Sequence, residues 1–278
     1  LHFIKRYDES YEDRNTKEMK RRTVVIFPRY HQLRAVHKLR RLVEEEGVGH
    51  NYLIQHSAGS GKTKTMAWLA HQFTNMIDAN GAAVFDSIIM VTDRIVLNRN
   101  MAEDVVNFET TLGTVMDIRK RSKTLADALN GKNRIIISTV QKFAYALDYL
   151  KHEQQKRYAV IIDEAHTAVG NEAAKDLVNA LSTQEDLAQI EDYNPDDYES
   201  PLDALMAQQQ NYRKMMKHIS YFAFTATPKD KTYALYGKDG KEAHDLYSMK
   251  QAIDEKFILD VTQNYVSYKT MFELIEKD

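Results

Sequence analysis

The 278 residues are 43% hydrophobic and 28% charged, and 38 basic against 40 acidic side chains leave a formal net charge of −2. No apolar run approaches the roughly 20 residues that a bilayer span needs, so a globular chain with no membrane partner is expected. Charge so close to balance rules out bulk attraction to nucleic acid and leaves any such contact to local patches. The chain has no cysteine and opens without a basic-then-apolar leader, which points to a cytoplasmic setting, and Leu1 in place of an initiator methionine points to a segment of a longer protein.

In chain order, residues 1–22 are polar without a sustained period, end in Lys20-Arg21-Arg22 and read as a boundary segment. From Tyr30 to Val43, Leu33, Val36, Leu39, Leu42 and Val43 recur at three- and four-residue spacing, which predicts an amphipathic helix. Near-continuous apolar runs follow at Tyr52–Ile54, Ser87–Val91, Arg134–Ser138, Tyr158–Ile162 and Tyr221–Phe224. Such runs are expected of strands covered on both faces of a parallel sheet. Helix-period stretches lie between them, as in Lys64 to Ile77, and the alternation predicts an α/β fold with right-handed crossovers. Residues 183–218 break the alternation and read as an exposed insertion, rich in Asp, Glu, Gln and Tyr up to Pro201. Beyond Pro228 the pattern loosens into a linker with a helix near Ser248–Asp254 and an extended run from Phe257 to Tyr268, read as the start of an incomplete second domain.

The chemistry concentrates at His56-Ser-Ala-Gly-Ser-Gly-Lys-Thr63, directly after one predicted strand and before a predicted helix. Small residues let backbone N–H groups curl around a phosphate, the helix N-terminus adds its positive end, and the Lys62 ammonium reaches the terminal phosphates. Thr63 is placed as a magnesium ligand. The strict pattern has glycine where this chain has His56. Gly-x-Gly-Lys-Ser/Thr arises by chance in roughly one chain in a hundred of this size, so a second match is needed. Asp163-Glu-Ala-His166 supplies it at the end of the run Val160–Ile162. A carboxylate at that edge of an open sheet lies beside the ligand crevice, so Asp163 is assigned to magnesium and Glu164 to the attacking water.

With Arg29-Tyr-His-Gln32, Val91-Thr-Asp-Arg-Ile-Val-Leu97, Ser138-Thr-Val-Gln-Lys-Phe143 and Phe224-Thr-Ala-Thr-Pro228 in order around them, these motifs resemble those of superfamily 2 helicases and translocases, most closely the motor of the restriction (R) subunit of type I restriction enzymes. The resemblance spans about 200 residues and implies a RecA-like P-loop ATPase fold, here residues 23–228, with ATP and Mg2+ as ligands. It implies a nucleotide-binding set of Gln32, Ala58, Gly59, Ser60, Gly61, Lys62, Thr63 and Thr65, with Gln32 reading the adenine edge and Arg29 and Tyr30 near the base. Arg94, Ser138, Thr139 and Gln141 fall where that family touches nucleic-acid backbone, and His166, Thr225 and Thr227 where it couples the nucleotide site to the track.

The implied activity is ATP-driven movement of double-stranded DNA within a restriction–modification complex that also holds methyltransferase and specificity subunits. A related RNA or DNA helicase, or a nucleotide-binding docking module without turnover, stays open beside it. No Gln-x-x-Gly-Arg-x-x-Arg pattern occurs, so the arginine finger, second lobe and nuclease of that family are expected elsewhere and hydrolysis by this segment is expected to be slow. The scattered ten histidines form no zinc pattern, and the run Arg119–Lys123 reads as solvated surface.

Overall fold

The computed structural model describes residues 4–13, 16–92, 115–117, 122–131, 133–139, 141–143, 156–165, 177, 179–182 and 217–260. It opens on a two-stranded antiparallel hairpin, β1 (Lys5–Glu12) and β2 (Met19–Ile26), in register from Lys5 opposite Ile26 to Glu12 opposite Met19. The polar opening stretch is thus extended and paired. Charged residues fill most of both strands, and the apolar residues of the hairpin gather at Val24–Ile26, the end of β2, so no period-2 alternation marks it in the sequence.

The helix α1 (Tyr30–Glu46) begins where Arg29 donates its backbone N–H to Gln32 Oε1 at 2.8 Å, a side chain reaching back over the first turn. It stops at Gly47, whose φ of 82° a side chain would resist. There follow β3 (Asn51–His56), α2 (Lys62–Thr74), β4 (Ser87–Thr92), β5 (Val115–Asp117), α3 (Ser122–Asn130), β6 (Ile135–Thr139), β7 (Tyr158–Ile162), β8 (Ile219–Thr225), α4 (Asp230–Tyr236), β9 (Asp245–Tyr247) and α5 (Met249–Asp254). Strands β3 to β9 form one parallel sheet of seven in the order β5-β6-β4-β7-β8-β3-β9.

Successive residues of each strand point to opposite faces. Tyr52, Ile54, Ile88, Met90 and Phe222 face one way, into a cluster with Leu39 of α1 and Trp68 and Phe73 of α2. Leu53, Ile89, Val91 and Val160 face the other way, against Leu125 and Leu129 of α3. Both faces are covered, which is why the strand sequences do not alternate with polar residues. Each large side chain buried in this way contributes about 1.5–3 kcal/mol.

Past Pro228 the chain returns to the same sheet, for β9 pairs with β3 through Ile54–Asp245, Gln55–Leu246 and His56–Tyr247. Ser248 then caps α5 by accepting a hydrogen bond from Gln251 N at 3.1 Å. Among the described residues no helix is long and apolar enough to cross a membrane.

Candidate active site

Strand β3 ends at His56 and α2 starts at Lys62, so residues 57–61 turn from a strand's C-terminal edge to a helix N-terminus. In an open parallel sheet that edge is where ligands are held. Gly59 (φ 75°) and Gly61 (φ 82°) lie in the left-handed region, and a Cβ on Gly61 would fall 2.7 Å from Gln32 Nε2. Only glycine meets both demands at position 61. The hydroxyls of Ser57 and Ser60 are buried with no hydrogen-bond partner. Burying a hydroxyl unpaired is costly, and an anion lodged in the turn would remove that cost. The glycine turn, the orphaned hydroxyls and the helix N-terminus therefore fit a phosphate group.

Asp163 follows β7, is 5% exposed, and donates its backbone N–H to Val91 O at 2.9 Å. Glu164, at φ 48°, is one of few non-glycine residues in the left-handed region, and its N–H donates to Asp163 Oδ1 at 3.0 Å. A backbone conformation of that kind is held only where its surroundings dictate it, and it concentrates at functional sites. Strands β3 and β7 are separated by β8, so the loops that follow them start roughly 10 Å apart, two strand spacings. Side chains close the gap, with Lys62 Nζ 3.6 Å from Glu164 Oε1.

Burial, reinforced by the Glu164 charge and only partly offset by Lys62 and the Glu164 N–H, raises the Asp163 carboxyl to about 6. Two acids and one lysine thus face one crevice with negative charge in excess, a setting that favours a dication. The shift bears on stability. From about 3.8 when unfolded to about 6 when folded, the ionised form is penalised above pH 6, and the penalty fades as pH falls towards 3.8. Its upper bound is roughly 3 kcal/mol. Asp163→Asn should therefore raise the melting midpoint of the nucleotide-free and magnesium-free chain by several degrees at pH 7.5. At pH 4 it should change little, and equal gains at both pH values in a thermal melt would contradict this account.

The other residues singled out from the sequence are placed unequally. Gln32 is buried, and both ends of its amide are engaged, Oε1 by Arg29 N (2.8 Å) and Nε2 on Gly61 O (3.0 Å). Through these bonds it braces the loop. Tyr30 donates to Glu255 Oε1 at 2.6 Å, and the Arg29 guanidinium lies 3.8 Å over the Phe257 ring. Ala58 and Gly59 are exposed on the turn, and Thr63 is half-buried in the first turn of α2. Thr65 is fully buried and donates its hydroxyl back to Gly61 O at 3.3 Å, which closes the helix start.

Ser138 and Thr139, at the end of β6, are buried, and the Ser138 hydroxyl donates to Thr139 O at 3.3 Å. Gln141, two residues on, is exposed. Thr225 is buried at the end of β8, between the two loops, and its hydroxyl accepts from Thr227 N at 3.2 Å. Arg94, His166, Arg119 to Arg121 and residues 183–216 of the predicted insertion lie outside the described residues.

Beneath the loop lies a polar layer that no sequence motif marks. His31 Nε2 donates to Ser60 O at 3.0 Å, its ring stacks on Tyr247 with centroids 3.8 Å apart, and Tyr247 O accepts from Ser57 N at 2.9 Å. Burial lowers the pKa of His31, which favours the neutral ring. The one available signal was His56 in place of glycine.

The profile of the SWI2/SNF2 ATPase family matches residues 31–277. No curated protein sequence matches the chain. Among solved structures, a nuclease-deletion mutant of the Type ISP restriction-modification enzyme LlaGI, in complex with a DNA substrate mimic, is similar with a TM-score of 0.50 and 18% identity over 86% of this chain and 22% of that one. The helicase domain of Pyrococcus furiosus Hef is similar with a TM-score of 0.47 and 18% identity over 75% of this chain and 35% of that one. The chain thus spans about a third or less of these structures. At such identity the likeness bears on the fold, which is RecA-like.

Proposed function

We propose that this chain, which belongs to the SWI2/SNF2 ATPase family, is the nucleotide-binding motor lobe of an ATP-dependent translocase that moves along duplex DNA, as in the restriction subunit of a type I restriction enzyme. The observation that carries the ATP half of this reading is the approach of Lys62 to Glu164 beside buried Asp163, across two strand spacings. Lys62 binds the terminal phosphates, with the N–H groups of residues 59–63 and the hydroxyls of Ser57 and Ser60 around them. Asp163 and Thr63 hold magnesium. When bound, magnesium offsets the charge of the terminal phosphates. Glu164, whose carboxylate lies 3.6 Å from Lys62 Nζ, orients a water molecule and accepts its proton.

The DNA half rests on the ordered motifs and on the kind of enzyme whose fold the chain shares, a restriction–modification enzyme seen with a DNA substrate mimic. Gln141 and Arg94 are the proposed backbone contacts, and His166, Thr225 and Thr227 the proposed link between nucleotide and track. Methyltransferase and specificity subunits are the proposed partners. Linear duplex DNA should stimulate ATP hydrolysis by the full-length protein at least tenfold in a phosphate-release assay. Stimulation by RNA alone would move the reading to an RNA helicase, and ATP binding without turnover would make the lobe a docking module.

A further inference from the structure

His56 occupies the first position of the phosphate loop, where the strict pattern has glycine, and its side chain is 0% exposed. Nε2 donates to Asp245 Oδ1 at 2.8 Å. Asp245, itself 3% exposed, accepts a two-pronged contact from Arg34, with Nη2 to Oδ1 at 2.9 Å and Nε to Oδ2 at 3.1 Å, and Arg34 Nη2 also donates to Leu246 O at 2.8 Å. Burial alone would raise the Asp245 carboxyl, but its hydrogen bonds to His56 and Arg34 prevail and lower it. A buried carboxylate this fully satisfied fixes geometry, because any movement of one partner leaves charge unpaired.

The geometry has a direction. Asp245 and Tyr247 lie on β9, and α1 supplies Arg34 and His31. From β9 the loop is held at its entry, through His56 and through Ser57 N to Tyr247 O, and near its exit, through Ser60 O to His31 stacked on Tyr247. A loop that binds an anion with its own N–H groups gains affinity when it is rigid beforehand.

We infer that Asp245 is a positioning residue for nucleotide binding: through His56 it fixes the phosphate loop from the edge strand β9, and Arg34 holds it in place. The inference deepens the ATP-binding reading above and rests on it. The test is titration of the 278-residue chain with a fluorescent ATP analogue and magnesium, for the parental protein, Asp245→Asn, His56→Phe and the double variant. Each single variant should weaken binding about tenfold while keeping one site per chain at saturation, whereas a merely structural defect would lower the number of sites.

Because both act on one contact, the double variant should be no weaker than the worse single one. A folded Asp245→Asn chain with parental affinity, or losses that multiply in the double variant, would overturn the inference. Should Asp245→Asn not fold, Arg34→Lys keeps the charge and loses the fork; it should weaken binding several-fold, and parental affinity there would overturn the inference equally. Parental protein that fails to bind the analogue would refute the ATP-binding reading itself, a result distinct from unchanged variants.

Discussion

Lys62→Ala should abolish ATP hydrolysis and weaken ATP binding at least about 100-fold, the loss expected when a charge-assisted contact to phosphate disappears from a desolvated site. Lys62 is the first residue of α2, its side chain is 10% exposed, and it lies 3.6 Å from Glu164. Removing it deletes a cation from a crevice that keeps both acids, so the Asp163 carboxyl, on which Lys62 acts downwards, should rise further. The backbone of the loop does not depend on the lysine. The braces run from Gln32 to Gly61, His31 to Ser60 and His56 to Asp245. Circular dichroism should therefore be unchanged, with a modest shift in melting. Parental ATP affinity in a folded Lys62→Ala chain would remove the lysine from the site.

Glu164→Gln should separate binding from turnover. The amide keeps the length of the side chain but cannot accept a proton, and loss of a general base lowers rates by about 10²–10⁴. Binding should be kept or improved, since the Glu164 charge is the second-largest contribution raising Asp163, and its removal eases ionisation of the neighbouring carboxyl. In single-turnover experiments on the full-length protein, ATP should persist on the variant. A parental rate would show that another group activates the water and would leave Glu164 as the counter-charge of Lys62.

How far these assignments were visible in the amino-acid order depends on what each element has to bury. Strands β3, β4, β6, β7 and β8 were legible because both of their faces are covered, which calls for near-continuous apolar runs. Lys62 and Asp163-Glu164 were legible because phosphate and magnesium demand particular residues at particular strand ends. The hairpin β1–β2 was not, since β2 is exposed along most of its length and its apolar residues are confined to its end. Nor was β9, three residues long and begun by an aspartate.

The polar layer under the loop was hidden for a different reason. His31, His56 and Asp245 look like surface residues until their contacts are known, and the bond from His56 to Asp245 joins positions 189 residues apart, too distant for any local pattern. Gln32 shows a second limit of the same kind: its motif announced an adenine contact, whereas its bonds to the Gly61 carbonyl and the Arg29 N–H, which brace the loop, were not legible.

The position of β3 in the sheet also governs how the motor is made. It is the first of the seven strands to be synthesised, yet its neighbours are β8, begun at Ile219, and β9, begun at Asp245. A nascent chain carrying β3, β4 and β7 can pair β4 with β7 but offers β3 no partner until more than 160 residues after it have been added. Contacts so distant along the chain form slowly, and an apolar strand waiting for them is a point of exposure to aggregation or to chaperones. The phosphate loop, written early in the sequence, is thus among the last parts of this domain to be assembled, and the capacity to bind nucleotide arrives only when the domain is nearly complete.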